Sequence, residues 1–379
     1  MTSAIDPFHA IAISRRAYAL QEQGARVIHM EFGQPSTGAP AAAIARAHQV
    51  LDSDAMGYWE NEALKARIAR DYRERYDVAV DPARIFLTAG ASPALVLALH
   101  LLFWPGARVA MARPGYVAYR NTVRALHMEP VEIACGADVR FQLSADALAA
   151  IEPAPDGVII ASPANPTGTI IPPDEMERIA QVCAARGIRI ISDEIYHGLV
   201  YAGQASCALQ FEPHATVINS FSKYYSMAGW RLGWIVVPPE KIESARALQG
   251  NLFLMPPSLA QHAALVAFDC TEELEANVAT YRRNRDLLLD ALPGLGLGRI
   301  APPDGAFYIY ADISHLTNDS MAFCLDLLEA TGVATAPGRD FDPVEGNRHM
   351  RFSFAVSTAE TEEAIRRLGE WLAARESAL

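Results

Sequence analysis

Short apolar runs alternate with longer helical stretches between residues 85 and 250, and no other feature limits the fold of this chain as tightly. Ile85–Thr88, Val109–Met111, Gly157–Ala161, Ile188–Ser192, Thr216–Asn219 and Leu232–Val237 read as buried strands. Pro93–Phe103, Tyr116–Leu126, Pro173–Arg186 and Pro239–Gly250 read as the helices between them. Strands that alternate with helices in this way build a mostly parallel sheet covered on both faces, so the expected fold class is α/β. Such sheets bind ligands in the crevice at the carboxyl ends of their strands. The residues just after each strand are therefore where chemistry is expected.

Beyond residue 270 the texture changes. Thr271–Leu292 reads as one charged helix, with Glu272, Glu273 and Glu275 near its start and Arg282, Arg283 and Arg285 later, the order that suits the helix dipole. A Gly- and Pro-rich loop, a strand at Phe307–Asp312, a helix at Ala322–Thr331, a strand at Met350–Phe354 and a final amphipathic helix over Ala359–Ala374 follow. This reads as a smaller α+β domain of residues 1–40 and 276–379, beside a large domain of residues 41–275.

With 379 residues, 51% of them apolar and 20% charged, the chain can bury a large core without disulfides or structural metals. The net charge of −12 argues against nucleic acid, whose phosphates need a basic footprint. It leaves room for small anions in a local positive pocket. Cys135, Cys183, Cys207, Cys270 and Cys324 are odd in number, widely spaced and without a CxxC pair, as expected of free thiols in the cytoplasm. Met1-Thr2-Ser3-Ala4-Ile5-Asp6 lacks the basic-then-apolar pattern of a signal peptide, and no apolar run is long enough to span a membrane.

The strand ends hold a distinctive set. Asp193 closes a nearly pure apolar strand, and a carboxylate there needs a cation or a donor. Tyr196 follows within the turn. Asn165 lies in Ser162-Pro163-Ala164-Asn165-Pro166-Thr167-Gly168, where prolines shape the loop. Ser220-Phe221-Ser222-Lys223 follows another strand, and Arg231 comes eight residues after Lys223. Thr88-Ala89-Gly90-Ala91-Ser92 leads into a helix whose first N–H groups make an anion site. Each signal is common alone. Together they match the needs of a phosphorylated pyridine aldehyde: a dianion site, an amine for a Schiff base, an acid for the ring nitrogen and donors for the phenolic oxygen.

On these residues the chain resembles the class I/II aminotransferases, fold-type I pyridoxal-phosphate enzymes that include bacterial aspartate aminotransferases. The resemblance runs from Phe32-Gly33-Gln34-Pro35 to Arg351. It is most specific at Ser220-Phe221-Ser222-Lys223 with Met227-Ala228-Gly229-Trp230-Arg231-Leu232-Gly233. It implies pyridoxal 5'-phosphate as cofactor, an L-amino acid and a 2-oxo acid such as 2-oxoglutarate as substrates, and a homodimer with shared sites. By resemblance Lys223 forms the Schiff base and then moves the substrate proton, and Asp193 pairs with the ring nitrogen. Asn165 and Tyr196 donate to the phenolic oxygen, and Tyr116 stacks on the ring. Ala91, Ser92, Ser220, Ser222 and Arg231 hold the phosphate. Arg351 grips the α-carboxylate, with Gly33 and Asn165 beside it. Tyr58 is carried over as a phosphate contact reaching into the neighbouring subunit, although Gly57-Tyr58-Trp59-Glu60-Asn61-Glu62-Ala63-Leu64-Lys65 is shorter than the family's segment and lacks its glycine.

Other readings stay open on sequence. A carbon–sulfur lyase or cyclopropane-forming synthase would use the same lysine. Ser220-x-x-Lys223 also fits a serine acyl-enzyme, though S-D-N and K-T-G do not follow it. Asp193, Glu194 and His197 crowd one turn too closely to converge on a metal, and none is expected. Gly294–Gly298 follows a helix rather than a strand, so it reads as a loop instead of a dinucleotide turn. Arg15 and Arg16 are the candidates for a second cation toward an acidic substrate side chain, while the apolar 251–257 loop leans toward neutral ones.

Overall fold

The computed structural model describes residues 5–376. Met1–Ala4, on which most of the reading of the N-terminus rests, lie outside the described residues. Seven strands form the main sheet: β2 (Ile85–Thr88), β3 (Arg108–Arg113), β4 (Glu129–Ala134), β5 (Gly157–Ala161), β6 (Arg189–Asp193), β7 (Thr216–Ser220) and β8 (Gly233–Val236). Their spatial order is β2-β8-β7-β6-β5-β3-β4. All pairings are parallel except those of β8, which runs against both β2 and β7. That reversal matters. The edge where β2, β5, β6 and β7 end is the edge where β8 begins, so Arg231, just ahead of β8, faces the same crevice as residues that follow the other strands.

The helices of this layer are α2 (Ala41–Ser53), α3 (Glu62–Tyr76), α4 (Ala91–Leu102), α5 (Val117–Ala125), α6 (Ala145–Ala149), α7 (Pro173–Arg186), α8 (Ile242–Leu252) and α9 (Ser258–Ala267). Local chemistry sets their ends. α7 starts on Pro173, with Asp174 and Glu175 in its first turn, and stops at Gly187 with φ of 69°. The Asn61 side chain accepts from the Leu64 amide to begin α3. α4 begins at Ala91, two residues before the expected Pro93, because Gly90 takes φ of +91° and turns the chain into the helix.

Strand β4 was not expected. Its Glu-Pro-Val-Glu-Ile-Ala has no continuous apolar run, and it is tolerated because it lies at the sheet edge beside β3, where Pro130 interrupts nothing essential. Helices α2 and α9 pack on each other. Alanine dominates both, so neither shows a strong periodic pattern in sequence.

The remaining chain covers the crevice. β9 (Tyr308–Asp312), β11 (Ala336–Pro337) and β12 (His349–Ser353) form an antiparallel sheet in the order β11-β12-β9. β1 (Ile28–His29) pairs in parallel with β10 (Val333–Ala334). α1 (His9–Glu22), α10 (Thr271–Gly294), α11 (Ser320–Thr331) and α12 (Thr358–Glu376) pack around these strands. The N-terminal segment joins this part, since α1 packs on α11 and β11. No described helix is long and apolar enough to cross a membrane.

Candidate active site

The strand ends meet the antiparallel sheet around a cavity of about 670 Å³. Gly33, Ala91, Ser92, Tyr116, Asn165, Asp193, Tyr196, Ser222, Lys223, Arg231 and Arg351 all line it. Ser220 sits one layer beneath, fully buried, with Oγ 2.7 Å from Ser222 Oγ and 3.0 Å from the Leu232 carbonyl oxygen. Tyr58 is not brought to this cavity; its ring is 84% exposed on the outer surface.

The chain holds three lysines. Lys65 pairs with Glu60 and Glu62, and Lys241 closes a short surface turn after β8. Only Lys223 enters the cavity, where its amine donates to the Gly33 carbonyl oxygen. Burial, reinforced by the charges of Arg351 and Arg231 and opposed by Asp193, lowers its pKa to about 8. The amine is thus turned to Gly33 while the Ser220 hydroxyl faces Ser222 and Leu232, which leaves no serine–lysine pair for acyl transfer.

Asp193 ends β6 with 8% exposure. Its Oδ2 accepts from the Tyr119 hydroxyl at 2.7 Å, and its Oδ1 accepts from the Ile195 amide at 3.2 Å. Burial pushes the carboxyl up, while these two donors and the Lys223 charge hold it down. Behind it Glu194 is raised to about 7 by burial and accepts from Ser192 and the Ala208 amide. Burial lowers His197 to about 4, so its ring is neutral. His197 Nε2 donates to the Ser162 carbonyl oxygen at 3.0 Å and Nδ1 accepts from Tyr76 at 2.6 Å. His197 and Glu194 therefore face away from the cavity and support the turn.

Arg351 projects from β12 and is only 2% exposed. Nη1 donates to Asn165 Oδ1 at 2.8 Å, Nη2 to the Glu31 carbonyl oxygen at 2.5 Å, and Nε has no partner. The guanidinium lies 4.4 Å from the Tyr308 ring centroid and 4.6 Å from that of Phe341. Tyr308 in turn meets Tyr196, hydroxyl to hydroxyl, at 2.6 Å. Glycine at 33 is required by this arrangement: a Cβ there would lie 1.8 Å from the Tyr308 hydroxyl.

A second cluster on the cavity wall forms an anion cradle. Gly90 opens α4 without a side-chain cap, so the helix begins uncapped at Ala91 and Ser92 on the cavity wall. Arg231, in the left-handed region at φ 52°, is held by the Ala228 carbonyl oxygen at 2.8 Å. A Cβ at Gly90 would come within 2.5 Å of the Arg231 guanidinium. Among the described residues, no carboxylate lies within 4 Å of a side-chain nitrogen of Lys223, Arg231 or Arg351. Three cations thus face one cavity with Asp193 as its single acid.

Sequence reasoning did not single out Tyr119, Tyr308 or Phe8, all of which line the cavity. Tyr119 is hidden by helix periodicity, three residues after Tyr116. Tyr308 is hidden in the apolar strand Phe307-Tyr308-Ile309-Tyr310. Neither Arg15 nor Arg16 is near: Arg15 is exposed, and Arg16 pairs with Glu329 on α11. From the 251–257 loop, Phe253 reaches the cavity wall.

The model of the family described as aminotransferase class I and II matches residues 25–368. The valine–pyruvate aminotransferase of Mycobacterium tuberculosis is 47% identical, with 98% of each chain covered. The arginine–pyruvate transaminase of Pseudomonas aeruginosa is 33% identical over 94% of this chain and 92% of its own. Among solved structures, an aminotransferase from Mycobacterium tuberculosis superposes with a TM-score of 0.96 at 47% identity, covering 99% of this chain and 98% of that one.

Proposed function

The chain belongs to the class I and II aminotransferase family, and from that membership we propose that it exchanges amino groups between amino acids and 2-oxo acids with neutral side chains, using pyruvate as the acceptor in preference to 2-oxoglutarate. The family's cofactor is pyridoxal 5'-phosphate.

The residues present fit that group. The cradle at Gly90 offers amides and the Arg231 fork to a phosphate, and any larger residue at 90 would close it. Ser222 lies beside it, with Ser220 fixing the Ser222 hydroxyl from below. Asp193 would hold a protonated ring nitrogen, Tyr116 would face the ring, and Asn165 and Tyr196 would approach its phenolic oxygen. Once bound, the cofactor supplies an electrophilic carbon and a ring that withdraws electrons from the amino acid's α-carbon. Lys223 would hold the cofactor covalently and its amine, when free, would take and return the α-proton. Its lowered pKa leaves a useful fraction of free amine near neutrality. Arg351 would bind the α-carboxylate through the face where Nε lacks a partner.

The donor class is carried by one observation: among the described residues, Lys223, Arg231 and Arg351 are the only cations on the cavity wall. The link, the phosphate and the α-carboxylate use all three. A distal carboxylate on aspartate or 2-oxoglutarate would lose water to Leu95, Val96 and Phe253 and find no further cation among the described residues of this chain. The Mycobacterium tuberculosis and Pseudomonas aeruginosa relatives are both named for reactions with pyruvate, which supports the same acceptor. The test is a matrix of donors and acceptors on the holoenzyme. Valine with pyruvate should exceed aspartate with 2-oxoglutarate in kcat/KM by at least about tenfold, given the cost of an unpaired charge. The reverse order contradicts the donor reading.

A homodimer is part of the proposal. Gln261, fully buried, accepts from the Asn61 amide at 2.9 Å and donates to the carbonyl oxygens of Trp59 and Pro256 at 3.0 Å. It ties the Tyr58 loop to the loop after α8, and together these present Tyr58, Leu252 and Leu254 outward. An apolar surface of that kind supports a protein partner, and a second copy would receive Tyr58 at its own phosphate end.

A further inference from the structure

Ahead of α1 the chain passes along the cavity, and Phe8 forms part of its wall. The Phe8 ring meets Tyr116 edge-on, with centroids 6.3 Å apart and planes at 72°. This short segment is held from both sides. Two residues upstream, Asp6 Oδ2 accepts from Arg120 Nε at 3.2 Å and Arg124 Nη1 at 2.8 Å. The Asp6 amide donates to Asn121 Oδ1 at 3.2 Å, and Asn121 Nδ2 donates back to the Asp6 carbonyl oxygen at 3.0 Å. Arg120, Asn121 and Arg124 all belong to α5, the helix that Tyr116 leads into.

Downstream, the amides of His9 and Ala10 donate to the two carboxylate oxygens of Asp340 at 2.7 and 2.8 Å. Asp340 follows β11 and is 1% exposed, so its oxygens are committed to the start of α1. Residues 6–10 therefore bridge α5, on the main sheet, and the small antiparallel sheet. Phe8 lies between the two clamps. A phenylalanine with no restraint would turn away from water in any direction; one fixed at both ends presents its ring in one place.

We propose that this strap sets side-chain selectivity: Phe8 is a specificity-determining residue that gives the substrate pocket an apolar wall, and Asp6 is the positioning residue that holds it there. The inference deepens the proposed function and rests on its reading that donors are neutral. Phe8 offers no hydrogen-bond donor, so a polar or charged side chain placed against it gives up its hydration without return. An aliphatic side chain gains by burial against the ring. The phenyl also takes up space, which favours aliphatic over aromatic donors.

The experiment uses the purified holoenzyme, with pyruvate as acceptor and valine, phenylalanine and aspartate as donors. In Phe8→Ala the ratio of kcat/KM for valine over phenylalanine should fall at least about tenfold, while the absorbance of the bound cofactor is retained. Asp6→Asn keeps the side-chain size and removes the charge. It should raise KM for valine several-fold, more than it lowers kcat, and reduce the rise of KM with ionic strength expected of the wild type, because the Asp6 ion pairs are partly exposed to salt. This second variant decides the matter if Phe8→Ala does not fold. A wild type active on valine whose donor ratio and salt response are unchanged in these variants overturns the strap's role and leaves the donor class standing. A wild type that prefers aspartate overturns the donor class and the strap's role together.

Discussion

Arg351 and Asp193 show how the site is poised at the level of single residues. Arg351 is a buried cation with one nitrogen unpartnered, a costly arrangement for an empty protein and a favourable one once a carboxylate arrives. Asp193 is a buried acid kept ionisable by two hydrogen bonds. Removing the Tyr119 hydroxyl should expose this dependence. Hydrogen bonds to charged groups are worth about 1.5–3 kcal/mol, so Tyr119→Phe should weaken cofactor binding by about ten- to a hundredfold through Asp193. Titration of the apoenzyme with pyridoxal 5'-phosphate, followed by absorbance, measures this. An unchanged dissociation constant would mean that the carboxylate does not need the phenol. Lys223, Asp193, Asn165, Arg231 and Arg351 were legible in the sequence because each follows a strand, precedes one or interrupts an apolar run. Tyr119 and Tyr308 were not, because an aromatic residue inside a helix or strand pattern looks like core, and their hydroxyls find partners distant in sequence.

At the level of elements, parallel strand edges do most of the assembly. β2, β5, β6 and β7 could be read directly, since Val- and Ile-rich runs have no other stable place than a buried sheet. The reversal of β8 was invisible, yet it accounts for Arg231 arriving from the start of a strand rather than the end of one. The helices escaped detection where alanine replaced larger apolar residues, as in α2 and α9. The entry to α4 is the element most open to test. Gly90 needs both its positive φ and its lack of a Cβ. Gly90→Ala should raise the dissociation constant for pyridoxal 5'-phosphate by about tenfold or more, consistent with about 1–3 kcal/mol of backbone strain at its positive φ plus the Arg231 clash. Unphosphorylated pyridoxal should bind the variant and the wild type alike. Equal losses for both ligands would place the cofactor's phosphate elsewhere.

For the whole molecule, the cavity belongs to no single layer: the main sheet brings Lys223 and Asp193, the small sheet brings Arg351, and the N-terminal segment brings Phe8. Tyr58 stands apart from all of these in one chain. Sedimentation should therefore give twice the 41.2 kDa of the chain, and activity should fall on dilution below the dimer's dissociation constant. A monomer with full activity at every concentration would remove Tyr58 from the site. The most direct test concerns the lysine on which the chemistry depends. Borohydride reduction of the enzyme with pyridoxal 5'-phosphate, followed by peptide mapping, should place the cofactor's mass on Lys223 and not on Lys65 or Lys241. The trapping rate of the apoenzyme should rise with pH through a midpoint at about 8, as the amine loses its proton. Mass on another lysine, or none on any, would contradict the central assignment.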